Sequence, residues 1–364
     1  MNKKLFISLF WVLPFLLQAG GGAAADTGSD GEAATGGGSV DLSVAYAFPK
    51  ADASAQVVLE WQKRVSERTN GRVSFTNYWS QSLVPLKDAP DATAKGIADI
   101  AMVTSSYTSG RFPALAPLDI PFALPEDPAR RAEVQAKVNE IIDDMFTERA
   151  NQKVIFGLVH PPSFVTCKDG FLPTADSWKG KVVRTPGGYY ARTFGHLGAE
   201  LSFIPLQDIY LSLQMNTVDC ALLVYTAMEG MKVYEVSPYS TRIDHSNLHS
   251  VMTMNLDRWN ELSPSDQEIM LEAGREVESM ALETRPRVIE ESMQRIVDGG
   301  GKFCIPDRAH IQAIKDAARA ELDQLSYKLG SSGARLKDAV LEGWTDEVYV
   351  ASPGADTALS DPCE

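Results

Sequence analysis

A glycine-rich segment holds the residues whose types and spacing most strongly suggest ligand chemistry. It reads RTPGGYYARTFGHLGAE over 184–200 and joins an arginine to a Thr-Pro-Gly-Gly turn that leads into a predicted helix. The free N–H groups and the positive end of a helix favour an anion. The glycines match neither the G-x-G-x-x-G dinucleotide fingerprint nor the G-x-x-x-x-G-K-[ST] phosphate loop. The segment therefore predicts a turn that favours an anion other than a nucleotide.

Arg184 is the residue of this segment with the clearest chemistry. It lies near the end of the predicted strand KVVRT, and open α/β sheets bind ligands at the carboxyl ends of their strands. Its planar guanidinium group matches the geometry of a carboxylate. The residues alone leave two interpretations open: Arg184 binds a ligand carboxylate, or it forms an ordinary surface salt bridge.

Aromatic side chains in or after predicted strands are candidates for the walls of a ligand cleft. Trp79, Tyr107 and Tyr225 follow or end such strands, and Phe48 and Phe164 lie within them. Packing in the core is an equally good interpretation for Trp79, Tyr107 and Tyr225.

The sequence lacks the motifs of catalytic and metal sites. Ser163 occurs without the G-x-S-x-G turn of serine hydrolases, and the five histidines show neither HExxH nor HxH spacing. The cysteines form no CxxC pair, so structural cysteines or disulfides are favoured, and the three possible full pairings cannot be ranked. These four cysteines are Cys167, Cys220, Cys304 and Cys363. We expect no catalytic residue, no metal and no cofactor.

The elements that position these residues alternate between strands and helices. Strands at 41–48, 72–79 and 99–103 enclose helices at 53–69 and 87–98, and the same alternation is repeated after residue 160. This order is typical of mostly parallel sheets covered by helices, so the predicted fold class is α/β. The capping sequence SPSD begins a helix over 263–298, which is about 50 Å long and suits a brace between two domains.

The N-terminal residues are typical of an exported protein. Lys3 and Lys4 precede an apolar run and then three alanines, so residues 1–25 are predicted to be a signal peptide and residues 26–39 a flexible linker. Removal of the two lysines changes the formal charge from −14 to −16. Such an acidic surface argues against nucleic acid and anionic lipid as partners. We expect a periplasmic protein that is not inserted into the membrane after cleavage.

Several segments, taken in order, resemble the extracytoplasmic solute receptors of tripartite ATP-independent periplasmic (TRAP) transporters, the DctP-type family. They include KGIADIAMV (95–103), WKGKVVRTPG (178–187), LGAELSFIPLQDIYLSLQMNTVD (197–219) and NLDRWNELSPSDQEIM (255–270). The resemblance implies a two-domain periplasmic binding protein fold, type II-like, with the long helix bracing both domains. The predicted divisions are domain I over 40–160 with part of 250–364, domain II over 161–249, and a C-terminal strand and helices over 302–364.

The resemblance also implies a function in transport rather than catalysis. A receptor of this family captures a small organic acid between its domains and delivers it to small and large integral membrane subunits, which take it up with an ion gradient. Arg184 stands where the arginine of the family's R-x-P segment grips the ligand carboxylate. The other predicted ligand-binding residues are Tyr225, Tyr107, Trp79, Phe48, Phe164 and Asn216.

One run departs from the family pattern. The family commonly has a Glu-Asn or Glu-Trp pair that lines the pocket, whereas the run that begins at Asn216 continues to Leu222 and Leu223. Tyr225 or Leu223 is expected to take the place of the pair. The change favours a less polar, monocarboxylic ligand, and it removes an acidic residue that binds a metal ion in some relatives.

Two other functions stay open at this point. An exported hydrolase or lyase would use His245 or an acid in the cleft, but no recognisable motif places a base beside a nucleophile. His245 and His249 are better explained as packed, hydrogen-bonded residues. An orphan sensor or scavenger would share the receptor fold without the transporter.

Overall fold

The computed structural model describes residues 38–245, 248–325, 329–345, 348 and 359–363. All of them belong to the second of the two units into which the chain divides, Gly37–Glu364. The predicted signal peptide (1–25) lies outside the described residues, as does the predicted linker (26–39) apart from its last two residues.

The described residues form strands and helices in alternation along most of the chain. The strands are β1 (Val40–Ala45), β2 (Val73–Tyr78), β3 (Ile100–Thr104), β4 (Gln152–Leu158), β5 (Ser163–Cys167), β6 (Val182–Thr185), β7 (Glu200–Phe203), β8 (Cys220–Val224), β9 (Tyr239–His245), β10 (Ser250–Asn255), β11 (Lys302–Ile305) and β12 (Asp361–Pro362). The α-helices are α1 (Ala53–Arg68), α2 (Ala89–Ala94), α3 (Ser105–Thr108), α4 (Pro128–Arg149), α5 (Gly188–Gly195), α6 (Ile209–Gln214), α7 (Tyr225–Gly230), α8 (Leu256–Glu261), α9 (Pro264–Asp298), α10 (Arg308–Gln324) and α11 (Gly330–Gly343).

The first sheet has the strand order β2-β1-β3-β10-β4. β1 is parallel to both of its neighbours, whereas β10 is antiparallel to β3 and to β4. Every residue of β3 and of β10 is buried, as expected for strands that are covered on both faces. The predicted mostly parallel sheet is present, with one antiparallel strand contributed by a distant part of the chain.

The second sheet has the order β12-β11-β9-β5-β8-β6-β7. β5 is antiparallel to both β8 and β9, and the remaining pairs are parallel. β9 has no counterpart among the predicted strands. Each sheet therefore combines parallel strands with a single antiparallel strand at an interior position.

The long helix α9 packs against elements of both sheets. It begins as predicted, because the Ser263 side chain accepts a hydrogen bond from the Asp266 N–H and Pro264 occupies the first helical position. Over its 35 residues it contacts α1 and β4 of the first sheet and α7 and β11 of the second. The predicted brace is confirmed. No helix within the described ranges has both the length and the apolar character that a membrane crossing requires.

Two disulfides join the four cysteines and thus resolve the pairing that the sequence left open. Cys167 pairs with Cys220 across the antiparallel strands β5 and β8, where the two residues lie directly opposite each other. Cys304 of β11 pairs with Cys363, which follows β12. Both disulfides connect neighbouring strands of the second sheet.

The exact domain limits at residues 160 and 249 stay a prediction.

Candidate functional site

A cavity lies between elements of the two sheets, at the ends of several strands. The first sheet and its connections contribute Thr104 at the end of β3 and Tyr107 in α3, and the second contributes Arg184 in β6. The space measures about 470 Å³, part of it open to solvent. Most of the remaining lining is apolar: Phe48, Leu86, Met102, Pro186, Leu206, Leu222, Leu223, Val224, Ala227 and Leu248.

Among the described residues that line this cavity, Arg184 is the only one with a charged side chain, and it is 2% exposed. Its Nε donates to the carbonyl oxygen of Ile204 at 2.9 Å, and its Nη1 donates to that of Leu222 at 2.9 Å. Its Nη2 donates to the hydroxyl oxygen of Tyr107 at 2.8 Å. A guanidinium group has five N–H donors, so one donor on each terminal nitrogen remains unused. These three contacts hold the planar group in one orientation.

No carboxylate among the described residues forms an ion pair with Arg184. A buried cation without a partner charge is costly, and other buried arginines of this chain avoid that cost. Arg242 pairs with Asp244 at 2.9 Å and Arg285 with Glu126 at 2.8 Å. The surface salt bridge that the sequence left open for Arg184 is therefore absent from the described part of the chain.

Tyr107 connects the two halves of the cavity. It lies in α3, directly after β3 of the first sheet, and its oxygen accepts a hydrogen bond from Arg184 of the second. Its own O–H therefore stays available as a donor toward the cavity. Arg184 and Tyr107 together offer a cluster of donors that suits the oxygens of a carboxylate.

A second polar spot in the cavity wall consists of Tyr190 in α5 and Ser163 at the start of β5. The hydroxyl of Tyr190 lies 2.7 Å from Nε2 of the buried His245. Burial lowers the pKa of His245 to about 3 and raises the pKa of Tyr190, so both side chains are neutral at physiological pH. The spot therefore offers hydrogen-bonding capacity without charge.

Thr104 is a third polar residue in the cavity wall, and the side chains to which it is linked by hydrogen bonds are also neutral. Its hydroxyl lies 2.9 Å from that of Ser250, which in turn lies 3.0 Å from Nε2 of His160. Burial lowers the pKa of His160 to about 3. Arg184 therefore carries the positive charge of the cavity, and none of the lining residues that the structure describes is acidic.

The glycine turn after Arg184 lies against a carboxyl group of the protein itself. Gly187 and Gly188 adopt positive φ angles of 110° and 64°. A Cβ atom on Gly188 would lie only 2.5 Å from Oδ2 of Asp119, which ends the 3₁₀ turn Pro113–Asp119. The amino end of α5 thus faces an internal acidic residue, Asp119. The predicted binding of an anion at this turn stays a prediction.

The structure brings Arg184, Tyr107 and Phe48 together but places the other four predicted site residues elsewhere. Phe164 and Tyr225 are fully buried and pack against each other, with their ring centres 4.5 Å apart. The Tyr225 hydroxyl donates to Asp244 at 2.5 Å, which turns it away from the cavity. Trp79 packs edge-on against Tyr46 at 5.6 Å. Asn216 is exposed in the turn after α6, with φ at 59°.

Several lining residues were not predicted as ligand-binding residues. Thr104 extends the predicted strand 99–103 by one residue, and its position at the end of a strand could have indicated that it lines the cavity. Tyr190 lies in the first turn of α5, so it carries the same helix-start signal as the glycines. Leu222 and Leu223, which replace the polar pair of the family pattern, both line the cavity.

Comparison with known proteins places this chain in a family of solute-binding proteins. The profile of the DctP family, described as bacterial extracellular solute-binding protein, family 7, matches residues 44–328. A solute-binding protein of Chromohalobacter salexigens is 24% identical, over 80% of this chain and 87% of its own length.

Two solved structures share the fold. A TRAP periplasmic solute-binding protein from Desulfovibrio salexigens with bound orotic acid has a TM-score of 0.78 at 21% identity, covering 83% of this chain and 98% of its own. A marine metagenome TRAP solute-binding protein, specific for aromatic acid ligands and in complex with 3-hydroxybenzoate, has a TM-score of 0.75 at 20% identity, covering 85% and 100%.

The cavity lies between the two sheets, is mainly apolar and contains the buried cationic side chain of Arg184. With the α/β fold, it defines this protein as a solute-binding receptor of the two-domain α/β class. The chain belongs to the bacterial extracellular solute-binding protein family 7, the DctP family. The resemblance stated from the sequence is confirmed, and so is the fold class that it implied.

Proposed function

We propose that this protein captures a small monocarboxylic acid in the cavity around Arg184 and delivers it to the membrane subunits of a TRAP transporter from the periplasm. The acid is bound and released without chemical change. The guanidinium group of Arg184 and the hydroxyl of Tyr107 hold the carboxylate, and the apolar walls hold the rest of the ligand.

The state of Arg184 carries this proposal. Its charge has no carboxylate partner among the described residues, two of its N–H donors are unused, and its side chain is fixed by three hydrogen bonds. An incoming carboxylate would pair the charge and use both donors. Because Arg184 is the single charged group in the described part of the lining, a ligand with one negative charge matches the site better than a dianion.

The apolar lining indicates the chemical class of the ligand body. Leu222 and Leu223 occupy the wall where polar side chains are common in the family, and Phe48 and Met102 contribute further apolar surface. A hydrocarbon or aromatic body gains about 25 cal/mol for each Å² of apolar surface that it buries. Structurally similar receptors hold the aromatic acids orotate and 3-hydroxybenzoate in the same fold.

The competing function, an exported hydrolase or lyase, has little support in the cavity. The base it would need, His245, bonds to the Tyr190 phenol, and burial lowers its pKa to about 3. A histidine with such a low pKa is a weak general base at neutral pH. Recovery of the bound acid unchanged after long incubation with the protein is the expected result, and a stoichiometric or catalytic product would favour the enzyme.

A thermal-shift screen of organic acids against the purified protein tests the proposed function. An acid present at a hundred times its Kd should stabilise the protein by about 2.7 kcal/mol. Arg184→Gln should lose this response to every acid, because removing one partner of a buried ion pair costs about 3–5 kcal/mol, or more than a hundredfold in Kd. Arg192→Gln is the matched control, since Arg192 is exposed on α5 and stacks on Tyr189.

The outcomes of this screen are distinct. Stabilisation of the wild type and of the Arg192 variant, with none for the Arg184 variant, supports the proposal. A wild type that responds to no monocarboxylic acid, or an Arg184 variant that responds as the wild type does, overturns it. Circular dichroism of the unliganded variants separates a lost ligand response from a lost fold.

A further inference from the structure

The segment 203–207 connects the arginine of the cavity to elements of the first sheet. The carbonyl oxygen of Ile204 accepts the hydrogen bond from Nε of Arg184, and Leu206 lines the cavity. Phe203 and Gln207, at the two ends of the segment, are not part of that lining. Each of them instead contacts a residue in the connections of the first sheet, so the segment joins the two halves of the cavity.

Phe203 makes the first of these contacts. It ends the edge strand β7, and its side chain is 53% exposed. Its ring packs edge-on against that of Tyr107, with the ring centres 6.4 Å apart. A Cβ atom on Gly187 would lie only 2.8 Å from Cδ2 of Phe203, so glycine leaves the room that this ring needs. The ring thus contacts both the turn that follows Arg184 and the tyrosine to which Arg184 donates.

Gln207 makes the second contact, with the loop that follows β2. Nε2 of Gln81 donates to Oε1 of Gln207 at 3.1 Å. Oε1 of Gln81 accepts from the N–H of Leu86 at 2.8 Å, and this bond fixes which way the Gln81 amide points. The N–H of Gln81 donates to the carbonyl oxygen of Tyr46, directly after β1, at 3.0 Å. Gln207 therefore accepts from a donor that the first sheet already holds in place.

Both contacts act on a bound acid without touching it. An acid that binds to Arg184 and Tyr107 is held by both halves of the cavity, and it leaves more easily when the halves separate. Phe203 and Gln207 oppose this separation from exposed positions outside the lining. Because they are exposed, they contribute little to the cores on which the two sheets depend.

We propose that Phe203 and Gln207 are positioning residues that hold Tyr107 and Gln81 against the second half of the cavity and thereby slow the release of the bound acid. They act through the joined halves rather than through the ligand. The rate of release should therefore change by the same factor for every acid that the cavity holds. This inference rests on the proposed function, since it concerns release from the same site.

Stopped-flow measurement of association and dissociation rates tests the inference, with the intrinsic fluorescence of the protein as the signal. The probes are propanoate, benzoate and 3-phenylpropanoate, which are monocarboxylic acids of increasing size. Phe203→Ala should raise the dissociation rate of each acid about two- to tenfold, the range expected for the loss of one aromatic pair. Gln207→Met keeps the length of the side chain but removes the acceptor, and it should raise the rate about two- to fivefold. Association rates should change much less.

Two further variants separate the proposed role from a general structural one. Phe203→Tyr keeps the ring and should keep the dissociation rate of the wild type. Leu211→Ala removes a side chain of similar exposure, 54%, from α6 in the same half of the cavity, and it should change neither rate. The thermal midpoints of all four unliganded variants should stay close to that of the wild type, because the substituted side chains are exposed.

The outcomes that overturn the inference are specific. A variant Phe203→Ala or Gln207→Met that releases every acid as slowly as the wild type overturns it. So does a factor that grows with the size of the acid, because it would show contact with the ligand itself. A Phe203→Tyr variant that releases the acids as fast as Phe203→Ala overturns it too.

Failure of the proposed function has a different signature. If the wild type binds none of the acids, or if Arg184→Gln still binds them, the site itself is wrong and the inference falls with it. If Arg184→Gln loses all the acids but Phe203→Ala and Gln207→Met release them at the wild-type rate, the carboxylate site stands and only the role of the two positioning residues is rejected.

Discussion

Asp119 is expected to make the stability of this protein depend on pH, because its carboxyl group is completely buried next to the amino end of α5. Burial raises its pKa from the usual value near 3.8 to about 7. The hydroxyls of Ser109 and Ser105 and the N–H of Tyr189 offset part of this rise. None of them reaches a carboxylate oxygen in full hydrogen-bond geometry, so the ionised form stays disfavoured.

The direction and size of the effect follow from the two pKa values. The folded protein holds this proton more tightly than the unfolded chain, whose aspartate pKa is about 3.9. The contribution to stability is therefore fully present below about pH 4 and is lost as the pH rises to about 7. A difference of about 3 pKa units at 1.36 kcal/mol each amounts to roughly 4 kcal/mol.

Asp119→Asn removes this titration while keeping the shape of the side chain. Relative to the wild type, the variant should gain unfolding free energy steadily between about pH 4 and 7, by about 1.4 kcal/mol for each pH unit, and then level off. Urea denaturation of both proteins at pH values of about 5, 6, 7 and 8 measures the difference. Asp169→Asn, at an exposed position, is the matched control for the substitution itself.

The informative quantity is the difference in unfolding free energy between the Asp119 variant and the wild type, since other buried groups also titrate. Burial lowers the pKa of His160, His245 and His249 to about 3, so these residues destabilise both proteins equally as the pH falls below about 6.5. A difference that does not change with pH would refute the reasoning. An Asp119 variant that is less stable at every pH would show that the ionised carboxylate caps α5 favourably.

Three further substitutions address the turn, the buried aromatic cluster and the disulfides. Gly188→Ala should cost about 2 kcal/mol or more in urea denaturation, because φ is positive and the new Cβ would lie 2.5 Å from Asp119; an unchanged midpoint would contradict this. Tyr225→Phe should lower the free energy of unfolding by about 1–3 kcal/mol, because the hydrogen bond to Asp244 is lost. It should change the Kd of a bound acid by no more than about twofold, whereas a large rise in Kd would show that Tyr225 contacts the ligand. Cys220→Ser should cost about 2–4 kcal/mol by breaking the first disulfide, and equal stability would show that this disulfide contributes nothing.

The elements with strong local signals could be predicted from the sequence. The long helix was predicted over 263–298 and spans Pro264–Asp298, because a serine cap and a proline at the first turn mark its start. The helix predicted over 53–69 from its apolar face spans Ala53–Arg68, and the structure shows Asp52 as its cap. Strand β9 and the antiparallel direction of β10 could not be predicted, since pairing depends on parts of the chain that lie far apart in sequence.

The candidate site could be predicted only in part, and the reason lies in the strands that form it. Arg184 was predicted because its type and its place near the end of a short strand are local features, and because the family resemblance assigned it to the ligand carboxylate. Phe164 and Tyr225 were expected in the cavity, but all residues of β5 and β8 are buried on both faces. Without alternation between buried and exposed positions, the sequence does not show which side chains face the ligand.

The buried hydrogen bond of the Tyr190 hydroxyl was also beyond the reach of the sequence. It depends on His245, which lies 55 residues away and reaches the phenol through the fold. The same holds for Asp119, which meets Gly188 across the turn that the sequence marks only by its glycines. Contacts of this kind are set by tertiary packing rather than by spacing.

The central claim is that the guanidinium group of Arg184, which has no carboxylate partner among the described residues, captures a ligand carboxylate. A crystal structure of the protein with the most tightly bound acid from the screen tests it most directly. The account predicts that the two carboxylate oxygens lie about 2.7–2.9 Å from the terminal nitrogens of Arg184, with the Tyr107 hydroxyl donating to one of them. An acid bound outside this cavity, or bound with its carboxylate away from Arg184, would contradict the account.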